Sequence, residues 1–293
     1  MVPAAALRYT SAMPLALIMS SFVAASRIGG AAQQYVLAGH RIDPVLAPTV
    51  MFGRSPAKGA TGEVTSPEVF RRMLGDIEAD ALFGLVDLVI TGHFSLAEQV
   101  EIAAGVLERV RDATREGAHA GRPTVVVDPI MGDEPKGLYV TPEVAEAVAR
   151  RLVPLADWIT PNVWELSHLV GRHVADAADA AAAVRELGGR ALVTSVPAGA
   201  DRIGLLLVDG DTATLFTHGR LERAPNGTGD LVAASFGAGL VEGLSPLAAA
   251  ERASRAAAET VKAGHAWDAP ELPIVALGDR LVRPTAEVRI ERL

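Results

Sequence analysis

Asn226-Gly227-Thr228-Gly229-Asp230, running directly into the apolar stretch Leu231 to Leu240, decides how this chain of 293 residues is read. Two glycines in three positions permit a tight turn and leave backbone N–H groups open to a close ligand. The run that follows has the composition of a buried helix beginning at that turn. The first N–H groups of a helix lack internal partners and carry the positive end of its dipole, so the turn suits a phosphate. Asp230 does not suit a phosphate. It is well placed, instead, to accept the proton of an attacking hydroxyl. Together the two features point to phosphoryl transfer. A plain structural reading stays open beside it, in which Thr228 or Asp230 simply caps a helix.

Working outward, short β-branched runs alternate with longer amphipathic or alanine-rich ones. Strands are expected at Leu15 to Ser20, Val45 to Val50, Leu88 to Thr91 and Thr124 to Val127. The series continues at Trp158 to Thr160, Ala191 to Thr194, Gly204 to Val208 and Thr214 to Thr217. Helices are expected at Pro67 to Ala81, Leu96 to Arg115, Thr141 to Leu152, Ala177 to Leu187, Leu231 to Glu242 and Pro246 to Ala263. Such alternation, with continuously apolar strands, predicts an α/β fold: a central, mostly parallel sheet covered by helices on both faces. Gly53 to Pro67, rich in proline and glycine, reads as a loop or flap. Residues 13–293 read as one domain. Residues 1–12 read as a loose extension, with Met13 an alternative start. Arg8, the apolar stretch from Pro14 and Ala24-Ala25-Ser26 superficially imitate a secretion signal, but a first strand accounts for them better.

Composition removes several classes. Apolar residues at 49% and charged residues at 21% fit a globular protein with ample core. A net charge of −8 and the lack of any basic block argue against a nucleic-acid partner. No apolar run approaches the roughly 20 residues that cross a bilayer, so no membrane partner is expected and the cytoplasm is the expected compartment. Zero cysteines removes disulfides, thiolate metal sites and cysteine nucleophiles together. The chain has neither a Gly-x-x-x-x-Gly-Lys-Ser/Thr phosphate loop nor a Gly-x-Ser-x-Gly elbow. His40, His119, His168, His173, His218 and His265 have no metal-like spacing.

In a sheet of this kind ligands sit beyond the carboxyl ends of the strands, and the remaining motifs fall there. Asp128, directly after Thr124 to Val127, suits Mg²⁺ or its waters; it also suits a turn cap. Asp133 and Lys136 follow in a loop, either solvated or near a ligand. Asn162 and Glu165 have the spacing of a capping box, and the same spacing puts both at a helix start facing metal-bound phosphates. Both readings stand. The hydroxyls of Thr194 and Ser195 end another expected strand and could hydrogen-bond a nucleotide phosphate. Ser20-Ser21-Phe22-Val23 ends the first strand, with Gly29-Gly30 close behind; small residues there admit a flat ligand or ease helix–sheet packing.

The ordered set resembles the ribokinase superfamily, and within it the pyridoxal kinases. The residues that carry the resemblance are Ser21-Phe22-Val23, Gly29-Gly30, Thr91 to Gln99, Val127 to Asp133, Lys136-Gly137, Thr160 to Leu166 and Gly227 to Asp230. The resemblance implies a ribokinase-like fold active as a homodimer, with ATP and Mg²⁺ as donor and a B6 vitamer as acceptor. A monovalent cation such as K⁺ is also used by members of the family. By the same resemblance Asp230 is the catalytic base, and Gly227, Thr228 and Gly229 form the anion hole. Asn162, Glu165, Thr194, Ser195 and Asn226 lie on the nucleotide side. Asp128 and Glu165 lie near the metal, and Ser21, Val23 and His93 near the pyridine ring. Two positions depart from the pattern. His93 stands where many relatives carry an aromatic residue, and Arg54-Ser55-Pro56 stands where the flap commonly has a histidine and a hydroxyl residue.

The rival readings are a hydroxymethylpyrimidine kinase of the same superfamily and a non-catalytic B6-binding sensor. The first usually has a cysteine at or beside the catalytic position. Its absence here, with Asp230 present, favours the pyridoxal reading. The retained Asp230 and its glycines argue against the second. A sugar or nucleoside kinase would devote more sequence to an N-terminal lid.

Overall fold

The computed structural model describes residues 13–56, 59–116, 119–221 and 226–293; the expected extension, residues 1–12, lies outside the described residues. In chain order the strands are β1 (Leu15–Val23), β2 (Asp43–Phe52), β3 (Gly62–Val64), β4 (Val86–Thr91), β5 (Thr124–Val127), β6 (Gly132–Asp133) and β7 (Gly137–Leu138). They continue as β8 (Trp158–Ile159), β9 (Arg190–Pro197), β10 (Arg202–Asp209), β11 (Thr212–Gly219) and β12 (Arg289–Arg292). The helices are α1 (Gly30–Gly39), α2 (Pro67–Ala79), α3 (Ala97–Asp112), α4 (Pro142–Ala147), α5 (Val163–Val170), α6 (Ala177–Glu186), α7 (Thr228–Val241), α8 (Pro246–Ala266) and α9 (Ile274–Leu277).

The main sheet has the order β12-β11-β10-β9-β8-β5-β4-β1-β2-β3, and β6 and β7 form a separate hairpin. The pairings from β2 across to β9 are parallel; β3 adds antiparallel to β2, and β9 to β12 pair antiparallel. The parallel strands are apolar on both sides because both sides are covered. Along β1, Leu15, Leu17 and Met19 enter one core with Phe70 and Leu74 of α2 and Val100 of α3. Ala16 and Ile18 enter the other core with Val36 of α1, Leu231 and Phe236 of α7 and Ala249 of α8. The two-residue period of the strand splits its side chains between the layers. Helix α7 lies almost on the sheet, since a Cβ on Gly237 would stand 3.1 Å from the Leu88 side chain. Phe236 meets the Trp158 ring edge-on at 5.2 Å.

Several expected boundaries move. Helix α7 starts at Thr228 rather than Leu231, because Gly227 (φ 95°) makes the turn and the first helical turn includes Asp230. Helix α1 was not expected; its buried residues include Gly30, Ala32 and Gln33, so the buried face carries little apolar pattern. The flap is shorter than expected. Residues 62–64 form β3, and the Ser66 hydroxyl caps α2 by accepting the Val69 N–H at 3.2 Å. Thr194 and Ser195 lie inside β9 rather than at its end. The edge strand β12, Arg-Ile-Glu-Arg, was also missed: its alternating charges look like loop but protect an open sheet edge.

Candidate active site

The parallel order brings the carboxyl ends of β1, β4, β5, β8 and β9 side by side, and with them most of the expected site residues. Backbone bonds lock the ends together: Gly92 N–H donates to Met19 O, Asp128 N–H to Thr91 O, Thr160 N–H to Val127 O and Thr194 N–H to Pro161 O. Along this edge a row of buried polar atoms has no partner among the described residues: Ser20 Oγ, Thr91 Oγ1, Asp128 Oδ2 and Asp230 Oδ1. Buried polar groups are normally paired, so such a row offers atoms for which a ligand can supply the missing partners.

Asp230 reaches this edge from α7 and is 7% exposed. Its Oδ2 accepts the Gly29 N–H at 2.8 Å across 201 positions of sequence, while Oδ1 stays unpaired. Burial raises its pKa from 3.8 to about 6, and the Gly29 bond holds it from rising further. Gly29 can only be glycine. Its φ is 59°, and a Cβ there would lie 2.2 Å from Ser21 Oγ. Ser21 therefore sits against the loop that seats Asp230. Gly227 is fixed from the same side, since a Cβ there would lie 2.4 Å from the Arg27 carbonyl oxygen.

Asn162 and Glu165 close the capping box. Asn162 Oδ1 accepts the Glu165 N–H at 2.8 Å, and Glu165 Oε2 accepts the Asn162 N–H at 2.9 Å. Glu165 does more than cap. Its Oε1 accepts the Met131 N–H at 3.0 Å, and Asn162 Nδ2 donates to Gly132 O at 2.9 Å, so the pair also holds the loop after β5. The structural and functional readings left open by the spacing are compatible in this one arrangement. Burial raises the Glu165 pKa to about 7 despite those bonds. Asp128, 4% exposed, has its pKa pushed well up by burial and then by the neighbouring Glu165 and Asp230. Asp133 is only partly buried and pairs with exposed Lys136 at 3.8 Å.

Among the described residues no group of three or more acidic or histidine side chains has the geometry to hold a metal by itself. Mg²⁺ bound mainly by phosphates and waters needs only one or two carboxylates. Asp128 Oδ2, buried without a partner among carboxylates, fits that role better than Glu165, whose oxygens already accept backbone N–H groups.

A cavity of about 660 Å³ adjoins the Gly227 turn and is lined by Thr194, Ser195, Thr228 and Gly229 at one end. Leu221, Val232, Ala257 and Val261 make its apolar side, and Asp201, His218 and Arg220 its polar rim. Neither set was expected from sequence. Ser195 has φ 59° where the β9–β10 register shifts, so a bulge turns it toward the cavity. Asn226 is exposed and does not line this cavity. Val23 is buried at the end of β1, opposite Phe52. His93 follows β4; its Nε2 lies 3.2 Å from Ser95 Oγ, and burial lowers its pKa to about 4. Nearby, buried Gln99 ties three segments together: Nε2 donates to Thr49 O and Thr65 O, and Oε1 accepts the Ser95 and Leu96 N–H groups. Sequence gave no role to Gln99.

Residues 96–274 match the family model described as phosphomethylpyrimidine kinase. The chain is 32% identical over 262 residues to a pyridoxine/pyridoxal/pyridoxamine kinase of Bordetella avium, covering 87% of this chain and 86% of that one. It is 33% identical to a pyridoxal kinase of Deinococcus radiodurans, over 75% of this chain and 76% of the relative. Its fold matches a pyridoxal kinase from Leishmania donovani, solved in complex with ADP and pyridoxamine, with a TM-score of 0.87. That match covers 95% of this chain and 99% of the other at 23% identity.

Proposed function

The chain belongs to the pyridoxal kinase family of the ribokinase-like superfamily, and on that premise we propose that it transfers the terminal phosphoryl group of ATP to a B6 vitamer. The acceptor is the 5′-hydroxymethyl group of pyridoxal, pyridoxine or pyridoxamine, and the reaction serves vitamin salvage. One observation carries the reading: the two oxygens of Asp230 are differently used. Oδ2 is fixed by Gly29, and Oδ1 is buried, unpaired and ready to take the alcohol proton. The N–H groups of the Gly227-Thr228-Gly229 turn face the charge that develops on the moving phosphoryl group.

The adjoining cavity suits the nucleotide, with Thr194, Ser195 and Thr228 at the phosphate end. Mg²⁺ would supply charge neutralisation and orientation of the phosphates; Asp128 would hold it, with Asn162 and Glu165 keeping the neighbouring loop in place. Ser21 and His93 would meet the pyridine ring. The proposal includes a monovalent cation, a homodimer and a cytoplasmic setting. No described helix is long and apolar enough to cross a membrane.

The match to the phosphomethylpyrimidine kinase family model favours one second reading, phosphorylation of a pyrimidine such as hydroxymethylpyrimidine. Product formation with pyridoxal, pyridoxine, pyridoxamine, hydroxymethylpyrimidine and ribose, each with ATP and Mg²⁺, separates the readings. Turnover on the three vitamers is expected. Turnover on the pyrimidine alone would replace the reading, and tight vitamer binding without turnover on any acceptor would make the protein a sensor.

A further inference from the structure

We infer that Glu271 is a positioning residue for phosphoryl transfer, holding through Ser26 the loop that seats both the general base and the anion-binding turn. The inference rests on the kinase reading and assigns to it a residue far from the motifs that define it. The loop between β1 and α1 is fixed in two halves. Its first half is held by backbone: Ala24 N–H donates to Phe52 O and Ala25 N–H to Gly53 O. Its second half is held by a backbone bridge between Phe22 and Gly29 and by side chains. Ser26, 2% exposed, donates its hydroxyl to Glu271 Oε2 at 2.5 Å, across 245 positions of sequence.

The next residues of the loop touch the two working parts of the site in turn. The Arg27 carbonyl backs Gly227, leaving no room for a Cβ there, and the Gly29 N–H binds Asp230 Oδ2 at 2.8 Å. Leu272, beside Glu271, closes on the same turn, with its Cδ1 3.0 Å from where a Gly227 Cβ would be. Leu272 and the Ser26 loop therefore meet at the Gly227 turn, and Glu271 ties the loop to the segment that carries Leu272. A hydroxyl–carboxylate bond is short, charge-assisted and directional, so it fixes the loop better than apolar contact would. If the loop relaxes, Gly29 moves, the carboxylate of Asp230 loses its fixed orientation, and the Gly227 turn loses its backing. Chemistry suffers while binding of ATP and vitamer, made largely elsewhere, does not.

The test compares Ser26→Ala, Glu271→Ala and Glu271→Gln with the parent enzyme, using ATP, Mg²⁺ and pyridoxal. Both alanine variants are expected to lower kcat by about 10- to 100-fold, the range for small misplacement of a reacting group, with KM for each substrate changed by less than about threefold. Glu271→Gln keeps an acceptor oxygen and is expected to retain most of kcat. In an Asp230→Asn background each alanine change should lower kcat by a clearly smaller factor than in the parent, because the oriented base is already gone and only the backing of the Gly227 turn is left to lose. Normal kcat in Ser26→Ala overturns the inference, since any loss in Glu271→Ala would then come from another contact of that carboxylate. Equal losses with and without the Asp230 carboxylate overturn it too, leaving a purely structural latch. Undiminished turnover in Asp230→Asn alone would instead remove the role of Asp230 as base, and no turnover by the parent protein on any vitamer would remove the kinase reading on which the inference stands.

Discussion

At the amino ends of the central strands Asp87 and Asp157 sit among arginines; at the carboxyl ends Asp128 and Asp230 sit among other carboxylates. Asp87 Oδ1 accepts Arg115 Nη2 at 2.9 Å, and its Oδ2 takes the Leu15 N–H and His119 Nδ1. Asp157 Oδ2 accepts the Val125 N–H at 2.8 Å, and Oδ1 meets Arg111 and Arg122. Each carboxylate staples one strand start to its neighbour and is fully paired. At the other edge Asp128 and Asp230 each keep one oxygen buried and unpaired. The residue type is the same and the sheet is the same. The difference is that one edge matches its charges internally and gains stability, while the other leaves them unmatched and gains proton affinity and room for a cation.

Removing the unmatched charge at Asp230 should give the largest effect, and its two consequences should run in opposite directions. Asp230→Asn is expected to lower kcat by about 10²- to 10⁴-fold, the usual range for losing a general base, with ATP affinity little changed. The same variant should melt higher at pH 7. The folded-state pKa of about 6 lies above the ordinary 3.8, so the native state favours the protonated acid. Stability from this group is therefore present in acid and lost as pH rises through about 6. Asparagine avoids that loss, by about 1–3 kcal/mol at pH 7 and by much less at pH 4. Melting curves at the two pH values check it; lower stability at pH 7 would mean that the carboxylate is paired after all.

Asp128→Asn should come next, at about 10- to 100-fold in kcat, with a higher Mg²⁺ concentration needed for half-maximal rate. Titrating Mg²⁺ at saturating ATP measures this, and an unchanged requirement would move the metal elsewhere. At the opposite edge Asp87→Ala should do the reverse. It removes the charge partner of Arg115, which keeps the Val86 and Gly121 carbonyls, and leaves the Leu15 N–H unpaired, at a stability cost of about 2–3 kcal/mol. Activity per folded molecule should not change, because these groups lie at the far ends of the strands. A fall in kcat there would break the division between the two edges.

A milder effect follows from pH alone. Asp230 must be ionised to accept a proton, so kcat/KM should fall below about pH 6, by about tenfold per unit where the acid form dominates. Asp128 and Glu165 face the same space and have raised pKa values themselves, so the limb belongs to the group as a whole. An acid limb that persists unchanged in the residual activity of Asp230→Asn would assign it to the other two.

What could be read in the sequence is what one segment states by itself. The Gly227-Thr228-Gly229-Asp230 turn, Asp128 after the strand Thr124–Val127 and the Asn162–Glu165 spacing each carry their geometry locally, as does the alternation that gives the sheet. Contacts between distant segments could not be read. Nothing near Gly29 announces that its N–H meets Asp230, and nothing near Glu271 announces Ser26. The apolar wall of the cavity beside the Gly227 turn comes from Leu221, Val232, Ala257 and Val261, which singly look like ordinary core. Thr194 and Ser195 were expected at a strand end rather than inside β9 because a bulge is a matter of register, which composition does not encode. Helix α1 was lost for a different reason: pressed between β1 and α7, it needs small residues more than apolar ones.

His93 offers the finest test of the carboxyl edge, because it is polar, partly buried and uncharged. With a pKa lowered to about 4 by burial, its imidazole is neutral wherever Asp230 is ionised. Its Nε2 already has Ser95 Oγ at 3.2 Å, and its carbonyl accepts the Thr49 hydroxyl at 2.6 Å, so the ring is held by its own loop. A neutral ring held in this way can stack on a pyridine or donate weakly to it, but it exerts no charge on the amine of pyridoxamine. His93→Phe keeps the stacking surface and loses only the polar edge, a difference of about 0.5–1.5 kcal/mol at most. KM for each vitamer should therefore change by no more than about tenfold and kcat by no more than about threefold, with the order among vitamers kept. Steady-state kinetics on all three vitamers measures it. A large fall in kcat would mean that the imidazole engages the reacting atoms, and a selective change for pyridoxamine would mean that it carries charge in the complex.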